Sequence, residues 1–85
     1  MIEKHGSIGA DHPALPGHFP GDPIVPGVLL LNEVLSALPH RMDIPWAKFH
    51  VPLKPGEEFA IRIDGQRFSV HRGDTLIASG SLRPA

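Results

Sequence analysis

His18 stands at the centre of PGHFPGDPIVPG, residues 16–27, a stretch with four prolines and three glycines in twelve positions. Proline fixes its own φ and glycine permits turns that other residues resist, so the chain is rigid on both sides of one imidazole. A histidine held in one orientation suits general-base work, because an unperturbed pKa of about 6.5 leaves most of it unprotonated near neutrality. Phe19 beside it would wall off water. The plainer account of His18 is a packed loop histidine satisfied by a backbone carbonyl, and the residues alone leave both open. Directly behind this stretch, Gly27 and Val28 begin an apolar run that predicts a helix start. The free N–H groups and positive dipole end there could polarise a carbonyl or stabilise an enolate. Gly27 would let a ligand approach the backbone closely. Every helix has such an end, so this one gains meaning only from what faces it.

Asn32 and Glu33 are a polar pair in the second turn of the same run. In an otherwise apolar helix they must be hydrogen-bonded, placed at an interface, or functional. They point about 100° apart around the axis, so one pocket cannot receive both. His12 and His18 could in principle ligate a metal, but no carboxylate or cysteine spacing supports a site, and no metal or cofactor is expected. His5, His40, His50 and His71 read as surface or strand-face residues. Trp46 and Phe49 are expected to pack on the helix.

The elements that must position these groups can be read from the pattern. Residues 2–10 predict a short strand weakened by Gly6 and Gly9. Five prolines between Pro13 and Pro26 exclude regular structure over residues 11–26. The helix should run from Gly27 to Pro39, with Val28, Leu29, Leu30, Leu31, Val34, Leu35, Ala37 and Leu38 covering nearly every face, as in a helix wrapped by the rest of the protein. A strand is expected over residues 46–51, closed by PLKPGEE. FAIRID, QRFSVHR and TLIASGSL follow, separated by the hairpin turns Asp64-Gly65 and Gly73-Asp74. The expected order is strand, rigid loop, helix and a four-stranded antiparallel meander, an α+β layer arrangement.

At 85 residues, with 41% apolar and 20% charged residues and no cysteine, the chain is one small globular domain. A core of this size is only marginally sufficient, and with neither disulfides nor a zinc cluster available, oligomerisation is the expected remedy. A net charge of -1 without a basic run argues against nucleic-acid or anionic-membrane partners. The N-terminal MIEKHGSIGA lacks a signal-peptide pattern and VLLL is far too short to span a bilayer, so the expected location is the cytoplasm.

HPALPGHFPGDPIVPGVLLLNE resembles the signature of the beta-hydroxyacyl-(acyl carrier protein) dehydratases, which have the hot-dog fold, an antiparallel sheet wrapped around one central helix. The similarity continues at KFHVPLKPGEEF, and the two stretches cover roughly half the chain. The resemblance implies a single hot-dog domain over residues 1–85. It implies that His18 matches the catalytic histidine that removes the α-proton of a 3-hydroxyacyl thioester, and that Gly27 matches the glycine whose N–H binds the thioester carbonyl. Phe19 and Val28 would then border the substrate. It also implies an acyl carrier protein or coenzyme A thioester as substrate, a role in fatty-acid or related lipid or polyene synthesis, and a homodimer or larger assembly with the acyl chain at the subunit interface.

One position departs from that pattern. The family carries Asp or Glu fourteen residues after its histidine, where this chain has Asn32. An amide has no proton of suitable acidity to give a leaving hydroxyl. His18 acting alone, Glu33 delivered by a distorted or partner helix, and loss of dehydration all remain open. The last would leave a non-catalytic acyl-binding subunit or heteromeric partner. Thioester hydrolysis on the same fold is a further alternative, and Asn32 makes it no easier.

Overall fold

The computed structural model describes residues 1–9 and 24–85. The expectations for His12, His18 and Phe19 lie outside the described residues. Among the described residues, five strands, β1 (Ile2–Ser7), β2 (Met42–Phe49), β3 (Glu58–Asp64), β4 (Arg67–Arg72) and β5 (Thr75–Pro84), form one antiparallel sheet with a single helix, α1 (Gly27–Ser36).

The second half of the chain follows local rules. Period-two alternation puts Phe59, Ile61 and Ile63 of β3 on one face, where Ile61 pairs with Val70 and Ile63 with Phe68 of β4, Val70 pairs in turn with Ala78 of β5, and all are buried. Gly65 and Gly73 adopt φ of 60° and 58°, which the tight hairpins require. Only β3, β4 and β5 form a meander. The sheet order is β1-β3-β4-β5-β2, so β2 pairs with β5 at the far edge instead of beside β3. This corrects the four-stranded meander. The connector, residues 50–57, crosses the end of the sheet to make that order possible. His50 and Val51 N–H groups donate to the Ile77 carbonyl at one side, and Gly56 N–H donates to Ile8 at the other.

β2 also begins at Met42, four residues before the expected strand. Pro45 inside it cannot donate to a ladder and hides the pattern. The pairing with β5 shifts register between Asp43 and Trp46, which accommodates the proline on an edge strand. Side chains alternate after the shift. Ala47 and Phe49 face the core side with Gly80 and Ala78, whereas Trp46 lies in register with Ser81 on the opposite face and is 54% exposed. Trp46 therefore does not pack on the helix as expected.

The helix starts at Gly27 behind Pro26, as the sequence predicts, and its last helical residue is Ser36, three before Pro39. Leu30 and Val34 are buried against the sheet, while Leu29, Leu31 and Leu35 are half-buried and Val28 is 62% exposed. The sheet thus covers one stripe of α1 fully, while Leu29, Leu31 and Leu35 are covered in part and the flank with Val28 and Asn32 is exposed.

Candidate active site

The start of α1 opens onto a cavity of about 420 Å³ lined by Ile24, Val25, Gly27, Leu30 and residues Phe49 to Leu53. Its walls come from three places: the approach to the helix, the end of β2, and the connector. Leu53 is 1% exposed, and its carbonyl accepts the Val25 N–H at 2.8 Å, which ties the approach to the connector. Pro26 occupies the N-cap with φ −58° and ψ 140°, and supplies no side-chain cap. Its carbonyl accepts Leu29 N–H at 3.0 Å, while Gly27 and Val28 N–H groups have no hydrogen-bond partner among the described residues. The helix end is thus a donor site beside an apolar cavity, an arrangement suited to a carbonyl with an apolar tail.

Glycine at position 27 also leaves room for the Phe49 ring. A Cβ there would lie 2.5 Å from Phe49 Cζ. The Phe49 ring packs directly over the first helical residue, as the expected Phe49–helix contact requires, and remains 48% exposed. His50 also lines the cavity, and its Nε2 lies 2.9 Å from Ser79 Oγ. His50 is exposed, as its reading as a surface or strand-face histidine expects; its place at the cavity is what that reading did not include. Its signal was its place inside KFHVPLKPGEEF, directly after Phe49.

The other candidates are placed elsewhere. Val28 and Asn32, four residues apart, share an exposed flank of α1. Glu33 is half-buried on another flank, where its carboxylate is 3.9 Å from Lys4 Nζ of β1. Lys4 also donates to Ser36 Oγ at 3.3 Å. Gly27 alone of the described candidates borders the cavity; Val28, Asn32 and Glu33 do not. The described residues contain no group of three or more metal-ligating side chains, and no helix long and apolar enough to cross a membrane.

The architecture superimposes on the dehydratase heterocomplex ApeI:P from Xenorhabdus doucetiae with a TM-score of 0.74, at 23% identity, over 95% of this chain and 83% of that one. An uncharacterized protein from Erwinia carotovora subsp. atroseptica matches with a TM-score of 0.68, at 26% identity, over 95% of this chain and 79% of that one. The five-stranded sheet and its helix are therefore a hot-dog fold. Curated relatives agree. The 3-hydroxyacyl-(acyl-carrier-protein) dehydratase FabZ of Thermus thermophilus is 36% identical over 82 residues, covering 89% of this chain and 52% of the relative. The FabZ of Aliarcobacter butzleri is 32% identical over 95 residues, covering 89% and 62%. The chain thus spans between half and two thirds of the length of these curated relatives. Residues 2–81 match the model of the ApeI-like dehydratases, and the chain belongs to that family.

Proposed function

We propose that the protein dehydrates 3-hydroxyacyl thioesters carried by an acyl carrier protein, with His18 as general base. The observation that carries this reading is the helix start at Gly27, without a hydrogen-bond partner among the described residues and facing an apolar cavity, in a chain whose motif holds a histidine nine residues earlier. The acyl tail occupies the cavity and the thioester carbonyl accepts the Gly27 N–H. His18 removes the α-proton, and charge develops on the carbonyl oxygen, where a fixed donor stabilises it. The C3–O bond then breaks, the hydroxyl takes a proton and leaves as water, and a 2,3-enoyl thioester remains.

The source of that last proton is the open half of the chemistry. Asn32 can hydrogen-bond a hydroxyl but cannot protonate it. Either His18 returns the proton it took, or a carboxylate comes from another chain. The exposed flank with Val28 and Asn32 and the outer edge of β2, which pairs with none of the described strands, favour a second hot-dog chain completing the site. A homodimer is the simplest such assembly. A heteromer in which this chain is the non-catalytic partner is the second reading. Asn32 favours it, as does the likeness to a dehydratase heterocomplex. The reading places the protein with its carrier-bound substrate in the cytoplasm.

The test is to incubate the purified protein with 3-hydroxyacyl carrier protein of several chain lengths and follow the enoyl thioester by mass spectrometry. Turnover in the wild type that falls by roughly 10²–10⁴ in His18→Ala supports the dehydratase. Absence of turnover until an active homologue is added supports the partner role.

A further inference from the structure

We infer that the Arg72–Glu57 pair is a positioning clamp for the start of α1, acting through the connector and the Val25–Leu53 hydrogen bond. What the helix start binds rests on the dehydratase reading above; the clamp itself rests on geometry alone.

Glu57 Oε1 accepts two hydrogen bonds, from Lys54 N–H at 2.7 Å and from Arg72 Nη1 at 3.0 Å. The same Arg72 nitrogen reaches the Pro52 carbonyl at 3.3 Å. Glu57 N–H donates to the Lys54 carbonyl at 3.2 Å, and Gly56 N–H to Ile8 at 2.7 Å. One guanidinium from the end of β4 thus holds the connector on both sides of Leu53. The turn needs glycine at position 56, where φ is +86°. With residues 52–57 closed in this way, the Leu53 carbonyl is held where it accepts the Val25 N–H at 2.8 Å.

Little freedom separates Val25 from the donor at Gly27. Pro26 locks its own φ and restricts the residue before it. A shift at Val25 is therefore passed along the chain to the Gly27 N–H with few soft dihedrals to absorb it. Arg72 and Glu57 never reach the cavity themselves, and neither lines it. They act on the site through main chain.

The pair is about one-third exposed on both sides, at 33% and 32%. Exposed ion pairs contribute little to global stability, so a clamp of this kind should appear as geometry rather than as melting temperature. That separates it from an ordinary surface salt bridge. Small misplacements far from the chemistry carry large rate penalties when the reacting atoms depend on fixed donors.

The experiment compares wild type with Arg72→Met and Glu57→Gln by amide hydrogen exchange and by steady-state kinetics. Glu57→Gln keeps an acceptor for Lys54 N–H and removes only the charge, so it serves if the first variant folds poorly. Val25 N–H should exchange roughly tenfold faster in Arg72→Met, while Ile61 and Val70 in the core strands keep their protection. In the same variant kcat should fall roughly ten- to a hundredfold with KM within about twofold, the pattern of a lost transition-state interaction. Unchanged Val25 exchange overturns the clamp whatever the rate does. Faster Val25 exchange with unchanged kcat overturns its positioning role. If the wild type shows no turnover, the dehydratase reading fails, and the exchange comparison alone decides whether the clamp holds the helix start.

Discussion

At the first turn of α1, Gly27 opens onto an apolar cavity, Phe49 packs over it, and Leu53 holds the preceding segment by the Val25 N–H. One turn further along, Asn32 is exposed and Glu33 pairs with Lys4 at 3.9 Å, away from that cavity. On the proposed reading, the first turn is the one that would bind a carbonyl and support negative charge on its oxygen. The second turn supplies no acid to that place within this chain. If the proposed elimination holds, its two halves, carbonyl activation and leaving-group protonation, are thus unequally provided for. The deficit lies on the flank of the helix that one chain leaves uncovered.

Substitutions in the first turn should have the larger effects. Leu30, 2% exposed, belongs to both the core and the cavity wall. Leu30→Ala should destabilise by about 2–5 kcal/mol, checked by denaturant unfolding. Gly27→Ala places a Cβ 2.5 Å from the Phe49 ring and should cost about 1–3 kcal/mol. The double variant with Phe49→Ala should cost less than the sum of the two singles, because removing the ring removes the clash. Additive effects would mean that the two residues are not in contact.

In the second turn, Asn32→Glu and Glu33→Gln should each change stability by no more than about 0.5 kcal/mol, since these side chains are exposed or half-exposed. Their effects on turnover should differ. Asn32→Glu should raise enoyl formation, and Glu33→Gln should leave it unchanged. A fall with Glu33→Gln would instead assign the acid to Glu33 and erase the contrast between the two turns.

The smallest effect concerns pH. The Glu57 carboxyl is held below the usual carboxylate range, chiefly by Lys54 N–H, with desolvation opposing and the Arg72 charge reinforcing the shift. A depressed folded pKa stabilises the charged form, so its contribution is complete above the ordinary value. It is lost as pH falls through the lower folded value. Titrating Val25 exchange protection downward should therefore show no loss at neutral pH and a loss only in the acid range. In Glu57→Gln that acid step should be absent.

Much of this was legible in the sequence. Alternating residues in β3, β4 and β5 and glycine at positions 65 and 73 act locally, so the hairpins followed from neighbouring residues. Pro26-Gly27 likewise marked the helix start. Pairings set by distant segments were not legible. Sequence adjacency placed β2 beside β3, whereas an eight-residue connector carries the chain across the sheet. Pro45 concealed the first half of β2, and the register shift beside it put Trp46 on the face opposite to the one expected. The cavity is assembled from residues 24–30 and 49–53, and nothing in either stretch announces the other. The same holds for Arg72, whose partners lie fifteen and twenty residues earlier. His18, the most legible chemical group in the sequence, falls outside the described residues.

Carbonyl activation should be present in this chain whether or not water is eliminated efficiently. Deuterium incorporation at the α-carbon of a saturated acyl carrier protein thioester in D₂O, read by mass spectrometry, isolates that step. Such a substrate has no hydroxyl to lose, so leaving-group protonation does not enter. The expected result is α-deuteration in the wild type, loss of it in His18→Ala, and wild-type levels in Asn32→Glu. Wild-type deuteration no faster than in His18→Ala would overturn the reading, and would leave a hot-dog chain that binds or pairs without activating the thioester.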